Sequence, residues 1–265
     1  VNIKEINMDK ITIKTPEEIE LMRESGRLLA QVFTMLDDFI VPGVSTLEIN
    51  DKVDDFITHD LQSRPASKGQ YGYEYVLNTS INEVVCHGVP KADELLKSKD
   101  IINVDITLEK NGFIADSSKM YVMPDASPIA RRLVKTTYQA MWEGIKEVKP
   151  GATLGDIGHA IQSFAQSHGY SVVREYCGHG IGREMHEAPQ VLHYGIRGQG
   201  VVLKEGMTFT IEPMINQGGH KIKTKKDGWT VVTRDKKLSA QSEHTILVTA
   251  DGYEVLTLRP EETLP

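Results

Sequence analysis

The sequence predicts an α/β (α+β) fold in which two helix pairs lie against a mainly antiparallel sheet. Two capped amphipathic helix pairs recur at corresponding places in the chain. Each pair is followed by strand-like segments. Hairpin-type turns such as Asn111-Gly112 join those segments, where a parallel sheet would need crossover helices.

The elements follow in order. Thr15, Pro16 and Glu18 form a helix start, with a hydroxyl cap, proline in the first turn and a glutamate three residues on. Ile19, Met22, Leu29, Val32, Phe33 and Leu36 continue it at helical spacing, and Pro42-Gly43 marks its end. Ser45 and Glu48 open a second helix with Ile49, Val53, Phe56 and Ile57 on one face. Ser127-Pro128 opens a third, carrying Leu133, Val134, Tyr138, Met141, Trp142 and Ile145 up to the break at Pro150-Gly151. Thr153 and Asp156 open a fourth, with Ile157, Ile161 and Phe164, ending near Gly169. Aligned on the two Pro-Gly pairs, Ile49 matches Ile157, Val53 matches Ile161 and Phe56 matches Phe164. This favours a duplicated unit with a pseudo-twofold axis, its halves at about 15–122 and 127–258.

Strands are expected at Tyr73–Asn78, Glu83–His87, Ile101–Leu108 and Phe113–Val122 in the first half. In the second they are expected at Ser171–Tyr176, Val201–Leu203, Met207–Met214, Trp229–Thr233, His244–Thr249 and Glu254–Leu258. With 265 residues and no low-complexity linker, one catalytic domain over 1–265 is expected, with 1–12 as an N-terminal extension.

Composition narrows the function. A formal net charge of −7 argues against broad electrostatic binding to DNA or RNA. The first ten residues lack the apolar core of a signal peptide, and no apolar run is long enough to cross a membrane. A cytoplasmic monomer with no DNA or membrane partner is therefore expected. Cys86 and Cys177 are too few for a disulfide framework. Each neighbours a candidate site histidine, so they are either pocket-lining thiols or small buried hydrophobes. The basic stretch Lys221–Lys226 reads as a solvated hairpin, with ribosomal RNA as a second option.

Five candidate metal ligands stand along the chain: Asp105, Asp116, His179, Glu212 and Glu243. Buried carboxylates without a cation would repel one another and be costly to desolvate. A two-residue turn at Asn111-Gly112 pairs Lys110 with Phe113, hence Asp105 with Ser118 and Thr107 with Asp116. Asp105 and Asp116 then share a sheet face as diagonal neighbours, roughly 7 Å apart by backbone. His179 lies between two glycines, which read as room for the backbone to crowd a bound group. Strand parity sets Glu212 opposite Phe209 and Ile211. Glu243 begins an apolar strand. Oxygen-rich ligands with one imidazole suit two cations of Mn²⁺, Fe²⁺, Co²⁺ or Zn²⁺, and amide or ester hydrolysis is their natural chemistry. Glu212 is the candidate proton shuttle. His87 and His186 are candidates to donate a hydrogen bond to a developing oxyanion.

Five segments carry a family resemblance: SINEVVCHGVP (80–90), NVDIT (103–107), YCGHGIG (176–182), GMTFTIEP (206–213) and SAQSEHT (239–245). They resemble the motifs of type I methionine aminopeptidases, and the match runs from about residue 13 to 257. The resemblance implies the pita-bread fold, a curved sheet covered by helices. It implies removal of the initiator methionine from nascent polypeptide N-termini whose second residue is small, with transient ribosome association. It implies one metal on Asp116, His179, Glu212 and Glu243 and another on Asp105, Asp116 and Glu243. A monovalent cation near Asn82, Val84 and Ser239 is implied as well. His87 would contact the substrate amine and His186 the scissile carbonyl or its amide. Tyr73, Tyr71 and Trp229 would line the methionine pocket, and Met185 belongs to the same wall. The chain departs from the bacterial pattern at Ser67 and Asn78, where cysteines are usual, and at Met185 and Ser242, where an aromatic is usual. Ser117 follows the second aspartate where threonine is common. The nearest enzyme alternative is an Xaa-Pro aminopeptidase; a non-enzymatic binding protein of the same fold is the other.

Overall fold

Four helices start where side chains cap them. In α1 (Pro16–Asp37) the Thr15 hydroxyl accepts from the Glu18 N–H and the Glu18 carboxylate returns to Thr15. In α2 (Thr46–Asp55) Ser45 and Glu48 do the same, and in α4 (Leu154–Ser167) Thr153 and Asp156. In α3 (Pro128–Lys146) Ser127 caps alone. Each cap stabilises its helix by about 1 kcal/mol. The computed structural model describes residues 10–265, so most of the expected extension over 1–12 lies outside the described residues. α1 stops at Asp37, ahead of Pro42-Gly43. α2 runs on into a wider turn, Phe56–Asp60.

Fifteen short strands follow among the described residues. They are β1 (Arg64–Pro65), β2 (Leu77–Ile81), β3 (Val84–Cys86), β4 (Ile101–Lys110), β5 (Phe113–Val122), β6 (Ser171–Val172), β7 (Gly178–Gly180) and β8 (Glu187–Val191). The rest are β9 (Thr208–Ile211), β10 (Met214–Asn216), β11 (Ile222–Thr224), β12 (Val231–Thr233), β13 (Ser239–Gln241), β14 (His244–Val248) and β15 (Tyr253–Val255). β4 pairs with β1, β2 and β5, and a five-stranded ladder runs β15-β14-β9-β7-β8. Two three-stranded ladders, β13-β10-β6 and β11-β12-β3, complete the sheets. The strand pairings in these ladders are antiparallel.

The hairpin register is the one the turn predicts: Lys110 opposite Phe113, Thr107 opposite Asp116, Asp105 opposite Ser118. Asn111 and Gly112 sit at φ 52° and 81°, as a type I′ turn requires. Other strands differ from expectation. The segment expected as a strand from Tyr73 is instead entered by a tight turn at Gln70–Gly72, and pairing starts at Leu77. Pro213 divides the expected Met207–Met214 strand, because it has no N–H to donate, leaving β9 and β10 in different ladders. Val201–Leu203 makes only a single bridge, Val202 to Thr153. β7 and β8 were not expected, since glycine and proline mask the strand pattern there.

Side-chain parity sorts the two faces. Ile102, Val104 and Ile106 of β4 and Ala115 of β5 pack with Val32, Phe33 and Leu36 of α1 and Ile49 and Val53 of α2. Alternation therefore turns Asp105 and Asp116 the other way. Phe209, Ile211, Ile246 and Val248 pack with Met141, Trp142 and Ile145 of α3 and Ile157 and Ile161 of α4. That turns Glu212 and Glu243 away from these helices. A seam joins β5 to the segment entering β14. The Thr245 hydroxyl accepts from the Asp116 N–H (3.1 Å) and donates to the Asp116 carbonyl (2.7 Å). The Ser117 hydroxyl donates to the Glu243 carbonyl (2.6 Å).

A Cβ added at Gly26 in α1 would lie 2.1 Å from the Leu256 carbonyl oxygen. Gly26→Ala should therefore destabilise the protein by about 2 kcal/mol although alanine is the better helix former. Urea unfolding measures this, and a stabilised variant would contradict the packing.

Candidate metal centre

The centre is built on His179. Its Nδ1 lies 3.0 Å from the Gly180 carbonyl oxygen, which can only accept, so Nδ1 carries the proton. Burial pushes the imidazole down to about 4, so it is neutral at pH 7. Nε2 is therefore a bare lone pair. It points at carboxylate oxygens, Oε1 of Glu212 at 3.3 Å and Oδ2 of Asp116 at 3.5 Å. Acceptors facing acceptors at this distance repel unless a cation lies between them.

The carboxylates carry the same signature. Ligand atoms of Asp116, His179 and Glu243 lie within 4.8 Å of one another, all buried. Both carboxylate oxygens of Glu243 and Oδ1 of Asp116 are buried without a hydrogen-bond partner. Desolvation, then Asp116 and Glu212, raise Glu243 well above the usual carboxylate range. Desolvation, then Asp116, do the same to Asp105, which shares a hydrogen bond with Asp116. Asp116 is pushed up to about 8, by desolvation and then by Glu212. Three acidic groups that burial strains in this way fit divalent cations, and the oxygen-rich set with one imidazole fits first-row metals.

The structure places Asp116, His179 and Glu243 together, with Glu212 beside His179 and Asp105 beside Asp116, so the five residues expected as ligands lie in one cluster. The reading of the glycines beside His179 is corrected. A Cβ on Gly178 would meet the Thr210 carbonyl oxygen at 2.2 Å, and one on Gly180 the Ala188 carbonyl oxygen at 2.0 Å. These glycines admit the neighbouring strands, not a bound group. Both cysteines are buried and neither is in a disulfide. Neither lines the cavity, and burial raises both thiols, Cys177 to about 12.

Some groups that hold the ligands were not anticipated. Thr210 accepts from the His179 N–H (3.0 Å) and donates its hydroxyl to Oε1 of Glu212 (2.8 Å). Strand parity could have found it, two residues before Glu212. Gln241 donates its amide to Oε2 of Glu212 (3.3 Å). His193 accepts the Glu212 N–H on Nε2 (3.1 Å), and no sequence pattern marks it.

A cavity of about 380 Å³ opens beside the carboxylates. His87 and His186 reach it from one side, with Met185 beside them. His87 sits at φ 57°, an uncommon backbone for a non-glycine, with its ring edge-on to Tyr176. Desolvation lowers His186 far below the ordinary imidazole range. The far wall is aromatic, with Tyr73 4.9 Å from Trp229 between ring centroids. The Asn78 amide donates to the Tyr73 hydroxyl (2.9 Å), which donates to the Leu77 carbonyl (2.8 Å). Tyr71 lies at the rim.

A buried carboxylate–imidazole cluster beside a cavity, on antiparallel ladders backed by two helix pairs, defines a metal-dependent hydrolase. Residues 20–250 match the description "Metallopeptidase family M24", and the chain belongs to that family. It is 52% identical to the methionine aminopeptidase of Escherichia coli (strain K12), covering 96% of this chain and 97% of that protein. It resembles the crystal structure of the methionine aminopeptidase from Rickettsia prowazekii with TM-score 0.92 and 50% identity, over 94% of this chain and all (100%) of that one. The prolidase from Pyrococcus furiosus, at TM-score 0.74 and 23% identity over 94% of this chain and 66% of that one, shares the fold alone. The fold is the pita-bread fold, and the activity is metal-dependent removal of an amino-terminal methionine.

The raised carboxylates set a pH dependence for the metal-free protein. Asp116, at about 8 when folded, lies above its unfolded value, so the folded state keeps its proton longer and stability falls as pH rises. His179, lowered to about 4, acts in the opposite sense, but only below about 6.5, where unfolded imidazole titrates. Between about pH 6.5 and 8 the metal-free protein should therefore lose about 1 kcal/mol per pH unit. Saturating divalent cation should flatten that slope. Urea unfolding across the window, with and without metal, measures both; a metal-free protein that gains stability there refutes the electrostatics.

Proposed function

We propose that this chain releases methionine from nascent polypeptides whose second residue is small, using two divalent cations. Asp116, His179, Glu212 and Glu243 hold one, and Asp105, Asp116 and Glu243 the other, so that Asp116 and Glu243 serve both. The observation that carries the proposal is the neutral His179 Nε2 opposed to two carboxylates, with the Glu243 oxygens left without donors. Cations held there lower the pKa of water and polarise a carbonyl.

The remaining roles belong to the protein. Glu212, oriented by Thr210 and Gln241, takes the proton from the attacking water and passes it to the leaving amine. His87 binds the substrate amine. Neutral His186 donates to the scissile carbonyl as negative charge develops on its oxygen. Tyr73, Trp229, Met185 and Tyr71 bound the slot for the methionine side chain, whose thioether packs favourably on aromatic rings. The strand β11 carries exposed Lys223, with exposed Lys225 and Lys226 after it, which supports transient contact with the ribosome. A cytoplasmic monomer completes the proposal; no helix among the described residues is long and apolar enough to cross a membrane.

Metal-stripped protein titrated with Mn²⁺, Fe²⁺, Co²⁺ or Zn²⁺ should regain methionine release from Met-Ala-Ser peptides and leave Xaa-Pro peptides intact. Cleavage of only the Xaa-Pro peptides would overturn the substrate. Asp116→Ala should abolish activity and metal binding together; retained turnover with one metal per chain would exclude a bridging carboxylate. His87→Ala should lower kcat by about 10²-fold at unchanged metal content, and loss of metal would make His87 a ligand.

A further inference from the structure

Tyr71 combines three features that the reaction outlined above does not use. Its backbone is left-handed, at φ 51° and ψ 27°, where a tyrosine rarely sits. Gly69 and Gly72 flank it at φ 89° and 79°, with open space where their side chains would be. Those glycines serve the path of the turn, and the turn is closed by its own backbone: Gly69 N–H to the Tyr73 carbonyl (2.7 Å) and Tyr73 N–H to the Gln70 carbonyl (2.9 Å). The Tyr71 side chain is 57% exposed, so apolar burial does not account for the conformation. Its hydroxyl lies 3.0 Å from Nδ1 of His186, 115 residues along the chain. The two rings are nearly parallel, at 7°.

We propose that the Tyr71 hydroxyl is a positioning group for His186, fixing its tautomer and aim. A phenol is a stronger hydrogen-bond donor than acceptor, and the bare nitrogen of a neutral imidazole is the better acceptor. The hydroxyl therefore donates to Nδ1, and the imidazole proton resides on Nε2. His186 also stands edge-on to His179, 4.5 Å between centroids, which limits its rotation. Held between the two, His186 offers one N–H donor in one orientation. In the other tautomer Nε2 would be a lone pair, which repels a carbonyl oxygen where an N–H would stabilise it. Tyr71 thus acts through His186. This inference rests on the assignment of His186 to the scissile carbonyl.

The test compares Tyr71→Phe with His186→Ala in the Zn²⁺-loaded protein. Steady-state rates on a Met-Ala peptide are read together with ¹⁵N NMR of labelled histidine, which distinguishes the two imidazole tautomers. Tyr71→Phe keeps the ring and removes only the hydroxyl, at an exposed position, so the fold is retained. It should lower kcat about tenfold, as loss of one orienting hydrogen bond, with KM unchanged. The His186 signal should pass from a single Nε2–H form to a mixture. An unchanged kcat or an unchanged tautomer in Tyr71→Phe overturns the proposal, and so does a raised KM alone, which would make Tyr71 a binding surface only. If His186→Ala is costly while Tyr71→Phe is silent, positioning fails and the role of His186 stands. If His186→Ala is itself silent, that role fails and the proposal falls with it.

Discussion

The site depends on one proton. By giving its Nδ1 proton to the Gly180 carbonyl, His179 turns a lone pair toward Asp116 and Glu212. Were burial not to keep the ring neutral, a protonated imidazole could neutralise the carboxylates, and the cluster would be a buried ion pair. With the ring neutral, His179 is one more acceptor among carboxylates, and a cation or a proton retained by the carboxylates must relieve them. The surrounding structure serves this arrangement. Thr210 binds both His179 and Glu212, His193 holds the Glu212 backbone, and the glycines beside His179 let β9 and β8 close in on β7.

The legible parts of the fold were those governed by local rules. The caps at Thr15, Ser45, Ser127 and Thr153 marked the helix starts because the signal lies within a few residues. The Asn111-Gly112 turn set the hairpin register, and with it the shared face of Asp105 and Asp116, because a two-residue loop leaves no freedom to slip. The five ligands could be named because carboxylates on apolar strands are costly without a partner. Family motifs then supplied the reaction, which spacing had left as generic hydrolysis.

The illegible parts were those decided by contacts distant in sequence. β7 could not be read as a strand because its glycines are chosen by carbonyls of Thr210 and Ala188, not by strand propensity. The strand expected from Tyr73 was placed too early: Tyr73 is extended, but it leaves a tight turn at Gln70–Gly72 and ladder pairing begins only at Leu77. His193 left no trace, since a histidine accepting a backbone N–H has no fixed spacing from the residue it serves. Cys86 and Cys177, close in sequence to His87 and His179, are buried and line no part of the cavity, because nearness along the chain does not fix where a side chain points.

The seam between β5 and β14 has a consequence of another kind. The Ser117 hydroxyl ties to Glu243, 126 residues on, and Ser118 makes a single bridge to Glu243, with Thr245 clasping Asp116 beside them. On the proposed ligand set, a cation held by Asp116 on one side and Glu243 on the other would close a loop of that length, as a disulfide would, but reversibly. The ion is then a structural fastener as well as a reagent. Its free concentration sets how tightly the chain is fastened, by RT ln(1 + [L]/Kd). The metal supply of the cell would thereby become a thermodynamic component of the fold.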